Sequence, residues 1–427
     1  MFHYQPLGIA VQIKHMKILM LLLGFSLAAT SIAAPPKEGY QTMVAVTAPT
    51  RLDWTFALTN RSLDPIPKDF LPDYDSTRQS FDLFMPPKRD PKKLLPVVLF
   101  ISPGKEPAGW KQFETACKEL GFVFIGVREA GNDCPMKKRV RIVLDVLDEV
   151  RRTLPTDPDR TYVAGFSGGG RIACSIAFAL PEHFGGVLSF CAAEEFRQES
   201  WLRQRCIDRL SVAFVTGTED FNRGEVERWR GPQLKMVGAR SRVWVQDKLG
   251  HGIPDGKIIP ETLRWLDEGV KPRQELAKKY PATRAKTDTE PTREDAAKTL
   301  LAEGKERLKQ RETQFSGLML LQGCMNRWLG TKSAEEAKKI LLDYEAKTDK
   351  PWEADDLVEQ RKFLVAEAKS LDSYASGDLP AQYLKLRPDM AKKAIELWKL
   401  IFADGPATKA GEEAKKRIPE LEKLTGK

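Results

Sequence analysis

The residues best able to do chemistry lie in Gly165-Phe166-Ser167-Gly168-Gly169, which follows the β-branched and aromatic run Thr161-Tyr162-Val163 and leads into an Ala/Ile-rich helical stretch. A G-x-S-x-G turn between strand and helix holds its serine in a sharp conformation with the hydroxyl clear of the sheet edge. The N-terminus of the following helix then favours negative charge developing nearby. Such a serine is a candidate nucleophile, and it needs a base. The chain has four histidines. His3 and His15 fall in a segment read below as removed, which leaves His183 and His251. His183, in Leu180-Pro181-Glu182-His183-Phe184, ends the helix after Ser167, on the far side of the sheet from its hydroxyl, and reads as structural or solvent-facing. His251 lies in the turn Gly250-His251-Gly252-Ile253-Pro254 after the alternating run Val243 to Leu249 and is the expected general base. A carboxylate must orient that imidazole. Asp220 is the choice, in Thr216-Gly217-Thr218-Glu219-Asp220 at the end of the apolar run Leu210 to Val215; Glu219, Asp247, Asp255, Glu194 and Glu195 are the alternatives.

From about residue 80 to 270 these motifs give the chain a resemblance to the α/β-hydrolase superfamily, and within it to secreted esterases similar to polyhydroxybutyrate depolymerases and feruloyl esterases. The matching pieces are Ala164-Gly165-Phe166-Ser167-Gly168-Gly169, Gly217-Thr218-Glu219-Asp220 and Gly250-His251, in the chain order Ser, Asp, His that this fold uses. The resemblance implies Ser167 as nucleophile, Asp220 as acid and His251 as base, with no cofactor and no metal. One piece departs from the pattern. Many members carry a His-Gly-rich turn after the third strand, whereas here Leu99-Phe100-Ile101 runs into Ser102-Pro103-Gly104-Lys105. Proline has no N–H to donate, so the oxyanion donors implied are the backbone amides of Gly168 and of Gly104 or Lys105.

The elements that must hold these residues alternate as an α/β chain does. Pro96 to Ile101 reads as a strand buried on both faces, Trp110 to Leu120 as a helix, Phe122 to Val127 as a strand and Val140 to Leu154 as an amphipathic helix. The strand before Ser167 follows, then Gly186 to Phe190 and the strands before Asp220 and His251. The expected fold class is α/β: an α/β-hydrolase fold, its mostly parallel sheet covered by helices on both faces, with the site at the strands' C-terminal edge. Residues 40–85 are expected to add one or two antiparallel edge strands, including Phe81 to Met85. Trp110, Trp201 and Phe221 are candidates to line a substrate cleft or to pack.

Lys14 and Lys17 precede the apolar segment Ile18 to Ala29, and Ser31-Ile32-Ala33 offers small residues where a signal peptidase would cut. Residues 1–33 therefore read as an export signal, with Met16 a more natural start than Met1, and the protein as secreted or periplasmic. A retained anchor is the other reading, but the apolar core is short for a span of about 20 residues. Six cysteines, at 117, 134, 174, 191, 206 and 324, follow that signal. Cys191 and Cys206 bracket one loop-helix excursion and are the pair most suited to a disulfide. No C-x-x-C occurs, and so few histidines disfavour zinc.

Length and composition suggest two units. A chain of 427 residues exceeds one ordinary core. Residues 34–270 form the expected catalytic domain, able to fold alone, 271–295 a Lys-, Pro- and Thr-rich linker, and 296–427 an all-α helical-hairpin domain. Glu335-Glu336-Ala337-Lys338-Lys339 recurs 77 positions on as Glu412-Glu413-Ala414-Lys415-Lys416, each expected to start a helix. That spacing is close to two helix hairpins, a loose resemblance to tetratricopeptide-like arrays. A net charge of +9 suits an anionic surface, but the basic residues alternate with Glu along helical faces, which excludes nucleic acid as the expected partner. The expected partners are a small or polymeric ester and, through the helices, a protein or cell surface, with no membrane span once the signal is cut. Two other functions fit the same residues: a binding scaffold on a decayed hydrolase fold, and a peptidase of that fold.

Overall fold

The computed structural model describes residues 37–87, 90, 92–286 and 289–426. The expected export signal at 1–33 lies outside the described residues. Eight strands form one sheet: β1 (Gly39–Ala45), β2 (Ser80–Met85), β3 (Leu95–Ile101), β4 (Val123–Val127), β5 (Thr156–Phe166), β6 (Gly186–Phe190), β7 (Ser211–Gly217) and β8 (Arg240–Gln246). Their order is β1-β2-β4-β3-β5-β6-β7-β8. The pairs β1/β2 and β2/β4 are antiparallel, and every pair from β4 to β8 is parallel. The parallel strands alternate with helices α1 (Trp110–Leu120), α2 (Met136–Thr153), α3 (Gly168–Ala179), α4 (Ser200–Arg209), α5 (Gly231–Met236) and α6 (Ile258–Glu268). The sheet is that of the α/β-hydrolase fold.

Side-chain alternation explains the two layers of helices. Val97, Leu99 and Ile101 of β3 join a core with Val140, Val143 and Leu147 of α2 and Ile172 and Ile176 of α3. The intervening Val98 and Phe100 join a second core with Phe113 and Cys117 of α1 and Ile259 and Leu263 of α6. Strands buried on both faces must be apolar at every position, and β3 is.

The remaining helices do not form a separate body. Helix α7 (Val270–Lys279) occupies much of the expected linker, and its Arg273, 4% exposed, donates to Ser211 Oγ, the Asp159 carbonyl, Tyr162 Oη and the Leu266 carbonyl. Helices α8 (Arg293–Arg307), α9 (Arg311–Arg327) and α10 (Lys332–Glu345) share one apolar cluster; α11 (Trp352–Ser376), α12 (Arg387–Asp404) and α13 (Lys409–Glu422) share another. Met319 of α9 and Ala366 of α11 belong to the same core as β3 and α2. Gly323 of α9 lies so close to Trp201 of α4 that a Cβ there would come within 2.4 Å of the indole. Arg327 donates to Glu182 at 2.8 Å and to Asp53 at 3.1 Å. The division into a self-sufficient 34–270 domain, a 271–295 linker and a 296–427 domain is thereby corrected. Lysine, proline and threonine suggest a solvated tether, but Arg273 is buried, and Arg284 and Arg293 reach back to pair with Asp159 and Asp64.

The repeated Glu-Glu-Ala-Lys-Lys does begin helices, α10 and α13, each capped by a threonine, Thr331 or Thr408, whose hydroxyl accepts an amide from the first turn. The 77-residue interval spans three helices rather than two hairpins. The six cysteines are all free thiols, so Cys191 and Cys206 are not bridged. Cys191 Sγ lies against the Gly252 carbonyl and Cys206 Sγ against that of Phe178. Among the described residues no helix is long and apolar enough to cross a membrane.

Candidate active site

Strand β5 is central, paired to β3 and β6, and ends at Phe166; α3 begins at Gly168. Ser167 between them has φ 54° and ψ −123°, a conformation that costs a non-glycine residue roughly 1–3 kcal/mol. The neighbouring glycines are what permit it. A Cβ on Gly165 would meet the Gly169 carbonyl group at 2.4 Å, and one on Gly169 the Ile101 carbonyl oxygen at 2.1 Å. The serine amide still donates to the Phe190 carbonyl at 2.9 Å, and its own carbonyl accepts from Arg171 in the first helical turn. The turn is therefore held from both sides.

His251 comes from the loop after β8. Its Nε2 lies 2.9 Å from Ser167 Oγ and its Nδ1 2.8 Å from Asp220 Oδ1. The ionised carboxylate accepts only, which places the proton on Nδ1 and leaves Nε2 to accept from the serine hydroxyl. The imidazole is stacked on Phe221, ring centroids 4.0 Å apart, with Phe166 at 5.0 Å. Asp220 is buried and fully engaged. Thr216 Oγ1 donates to Oδ2 at 2.6 Å, and the Asn222 amide donates to Oδ1 at 3.0 Å. The two loops that carry Asp220 and His251 are joined by backbone bonds, Thr218 N–H to Gln246 and Glu219 N–H to Leu249.

The other carboxylates are elsewhere. Glu219 and Asp255 are exposed, Asp247 lies beside Thr218, and Glu194 and Glu195 pair with Arg171 and Arg230. His183 is buried, not solvent-facing. Arg151 donates to its Nδ1 at 3.0 Å, and burial, followed by the Arg151 charge, pushes its pKa down to about 3. It lines a cavity of about 800 Å³ with Arg51, Glu182, Arg205, Glu290 and Arg327, which none of Ser167, Asp220 and His251 touches. Of the three aromatic candidates, only Phe221 meets the site residues. Trp110 stacks on Tyr40, and Trp201 packs against Phe56 and Gly323.

Of the expected oxyanion donors, Gly168 opens α3, in the first turn, where amides lack intrahelical acceptors. The Gly104 amide already donates to Ser102 Oγ at 3.1 Å. The Lys105 carbonyl accepts from Glu129 and its ammonium pairs with Asp133, tying this loop to the one after β4. Asn132, which sequence reasoning missed, stands directly over Gly168. Cys191, Asp220 and His251 bring potential metal-ligand atoms within 4.8 Å of one another. Each already has a hydrogen-bond partner, and burial raises the thiol pKa, so the set is poorly suited to a cation.

No family model and no curated protein matches the chain. Solved structures match over about half of it. A thermostable esterase is 16% identical, with 46% of this chain and 60% of that one covered and a TM-score of 0.37. An S-formylglutathione hydrolase from Staphylococcus aureus is 13% identical, covering 46% and 94%, with a TM-score of 0.35. An acetyl xylan esterase from Aspergillus awamori is 12% identical, covering 47% and 97%, with a TM-score of 0.33. At that distance the fold rests on the strand order and register given above.

Proposed function

We propose that the protein is a serine hydrolase acting on carboxylic esters. The observation that carries this reading is the continuous pair of hydrogen bonds from Ser167 Oγ through His251 to buried Asp220, built on a strained strand-to-helix turn. In the proposed reaction Ser167 Oγ bonds to the ester carbonyl carbon, the carbonyl π pair moves onto oxygen, and His251 Nε2 takes the serine proton. Collapse of that intermediate breaks the bond to the alkoxide, which leaves with the proton from Nε2. Water then repeats the sequence on the acyl-enzyme, releasing the acid and restoring Ser167. Asp220 remains ionised and steadies the imidazolium. The N-terminal segment read as an export signal adds to the proposal that this chemistry takes place outside the cytoplasm.

The test is Ser167→Ala in the full chain. Turnover of p-nitrophenyl acetate is expected to fall by about 10⁴- to 10⁶-fold, and labelling by a fluorophosphonate to disappear, with an unchanged circular dichroism spectrum. A variant that keeps most of its turnover removes the reading. Parallel assay of an anilide of the same acid separates ester from amide hydrolysis.

A further inference from the structure

We propose that the side-chain amide of Asn132 is an oxyanion donor at this site, aimed by the buried guanidinium of Arg139. The inference rests on the serine-hydrolase reading above and names a catalytic group that neither sequence pattern nor resemblance supplies.

Three observations lead to it. First, the loop after β3 offers fewer backbone donors than expected: Pro103 has no N–H, and the Gly104 amide donates to Ser102 Oγ, which leaves the Lys105 amide alone of those expected there. Any further donor must come from what lies beside Gly168. Second, the Asn132 carboxamide occupies the space that any side chain at 168 would need. A Cβ on Gly168 would sit 2.0 Å from Asn132 Oδ1 and 2.9 Å from Nδ2. Glycine at 168 is thus required by Asn132, and the amide lies next to the residue that follows the nucleophile.

Third, the orientation of that amide is set by its partner. Arg139 is 6% exposed, and among the described residues no carboxylate forms an ion pair with it. It donates instead from Nε to the Ala130 carbonyl at 2.6 Å, from one terminal nitrogen to Asn132 Oδ1 at 3.0 Å and from the other to the Ser102 carbonyl at 3.2 Å. A guanidinium only donates, so the atom it holds must be the amide oxygen. The donating Nδ2 is left for another acceptor, and Asn132 as a residue is exposed. The Asn132 backbone is fixed as well, its N–H donating to the Pro103 carbonyl at 2.8 Å. Arg139 is thereby a positioning residue: it ties the loops after β3 and β4 together and turns one amide nitrogen outward beside Gly168.

Two variants of the full chain test this with p-nitrophenyl acetate. Asn132→Ala removes the donor, and kcat is expected to fall by about 10²- to 10³-fold with KM changed by less than about threefold, as for loss of one oxyanion donor. Asn132→Asp keeps an oxygen for Arg139 but offers the substrate no N–H, so kcat is expected to fall at least as far. A trifluoromethyl ketone, which forms an oxyanion with Ser167, is expected to bind both variants weaker in proportion to kcat. If Asn132→Ala does not fold, Asn132→Asp, which keeps the Arg139 contact, decides alone. Wild-type kcat in Asn132→Ala, or recovery of the lost activity by Asn132→Asp, overturns the inference and reduces Asn132 to a tether for Arg139. Failure of the wild-type protein itself to turn over ester or accept fluorophosphonate is a different result: it removes the nucleophile reading, and this inference with it.

Discussion

The hydroxyl of Tyr383 donates to Asn222 Oδ1 at 2.9 Å, joining the short helical turn Ala381–Leu386 in the C-terminal region to the loop that carries Asp220. Asn222 passes the constraint on in two directions: its amide N–H donates to Asp220 Oδ1 and its Nδ2 to the Cys191 carbonyl. The carboxylate beside His251 is therefore braced from a part of the chain more than a hundred residues away.

Removing that brace should act on the Asp220 loop. Tyr383→Phe keeps the ring and deletes one hydrogen bond, whose net worth of about 0.5–1.5 kcal/mol corresponds to a roughly 2- to 10-fold loss of kcat/KM. The loss should appear in kcat rather than KM. Steady-state kinetics on p-nitrophenyl acetate would show it, and identical constants for the two proteins would mean that the loop stands without help.

Truncation after Gln274 should leave an insoluble or inactive product, because it removes α8 to α13 and uncovers Trp201, Met319's partners in the main core, and Glu182. Burial raises the Glu182 pKa, yet the Arg327 and Arg205 charges hold it well below the usual carboxylate range. Deleting one member of such a buried pair costs about 3–5 kcal/mol. Expression of the shortened chain with assay of the soluble fraction checks this; a soluble fragment with full ester turnover would contradict it.

Stability should depend on pH through two opposed groups. His183 has its pKa pushed down to about 3, by burial first and then by Arg151; Glu290, which Arg151 also meets at 3.1 Å, is pushed up to about 7, mainly by burial. Below about pH 6.5 the unfolded chain gains a proton on His183 that the folded chain refuses, so stability is lost as pH falls. Between about pH 7 and 4.5 the folded chain protonates Glu290 before the unfolded one does, so stability is gained as pH falls. Relative to wild type, His183→Gln should therefore become more stable from pH 7.5 toward 4.5, and Glu290→Gln less. Each slope is bounded by about 1.4 kcal/mol per pH unit. Urea midpoints across that range, showing both variants parallel to wild type, would sink the assignment.

Gly323→Ala should destabilise through overpacking, since a Cβ would enter the Trp201 ring space. A cost of about 1–3 kcal/mol and a matching fall in Tm are expected. An unchanged melting curve would show that α9 can withdraw freely from α4.

The parts of this structure legible in the sequence are those set by short-range pattern. Alternating or continuous apolar runs marked β3 and β6, and helix periodicity marked α1 over the same Trp110–Leu120 that the structure has. Ser167, Asp220 and His251, which the structure brings together, stand out in the sequence because each follows such a strand. What stayed hidden depends on pairs distant in the chain. Arg139, Arg273 and Arg327 look like surface charges in a helix, and only their burial against Ser102, Asp159 or Glu182 shows otherwise. Asn132 sits in an ordinary turn sequence, and nothing local connects it to Gly168. The linker expected over 271–295 failed for the same reason: composition reports average solvation, not which individual residue is turned inward.

Synthesis proceeds from the amino end, so Ser167, Asp220 and His251 are all present in a growing chain 132 residues before Tyr383 is added. At roughly 5–20 residues per second, that interval is on the order of ten seconds. Throughout it the Asp220 loop lacks its tyrosine, and for part of it Glu182 lacks Arg327. The chemical groups are encoded early and secured late, which sets the protein on a clock: the bracing of Asp220 is complete only once Tyr383 has been added.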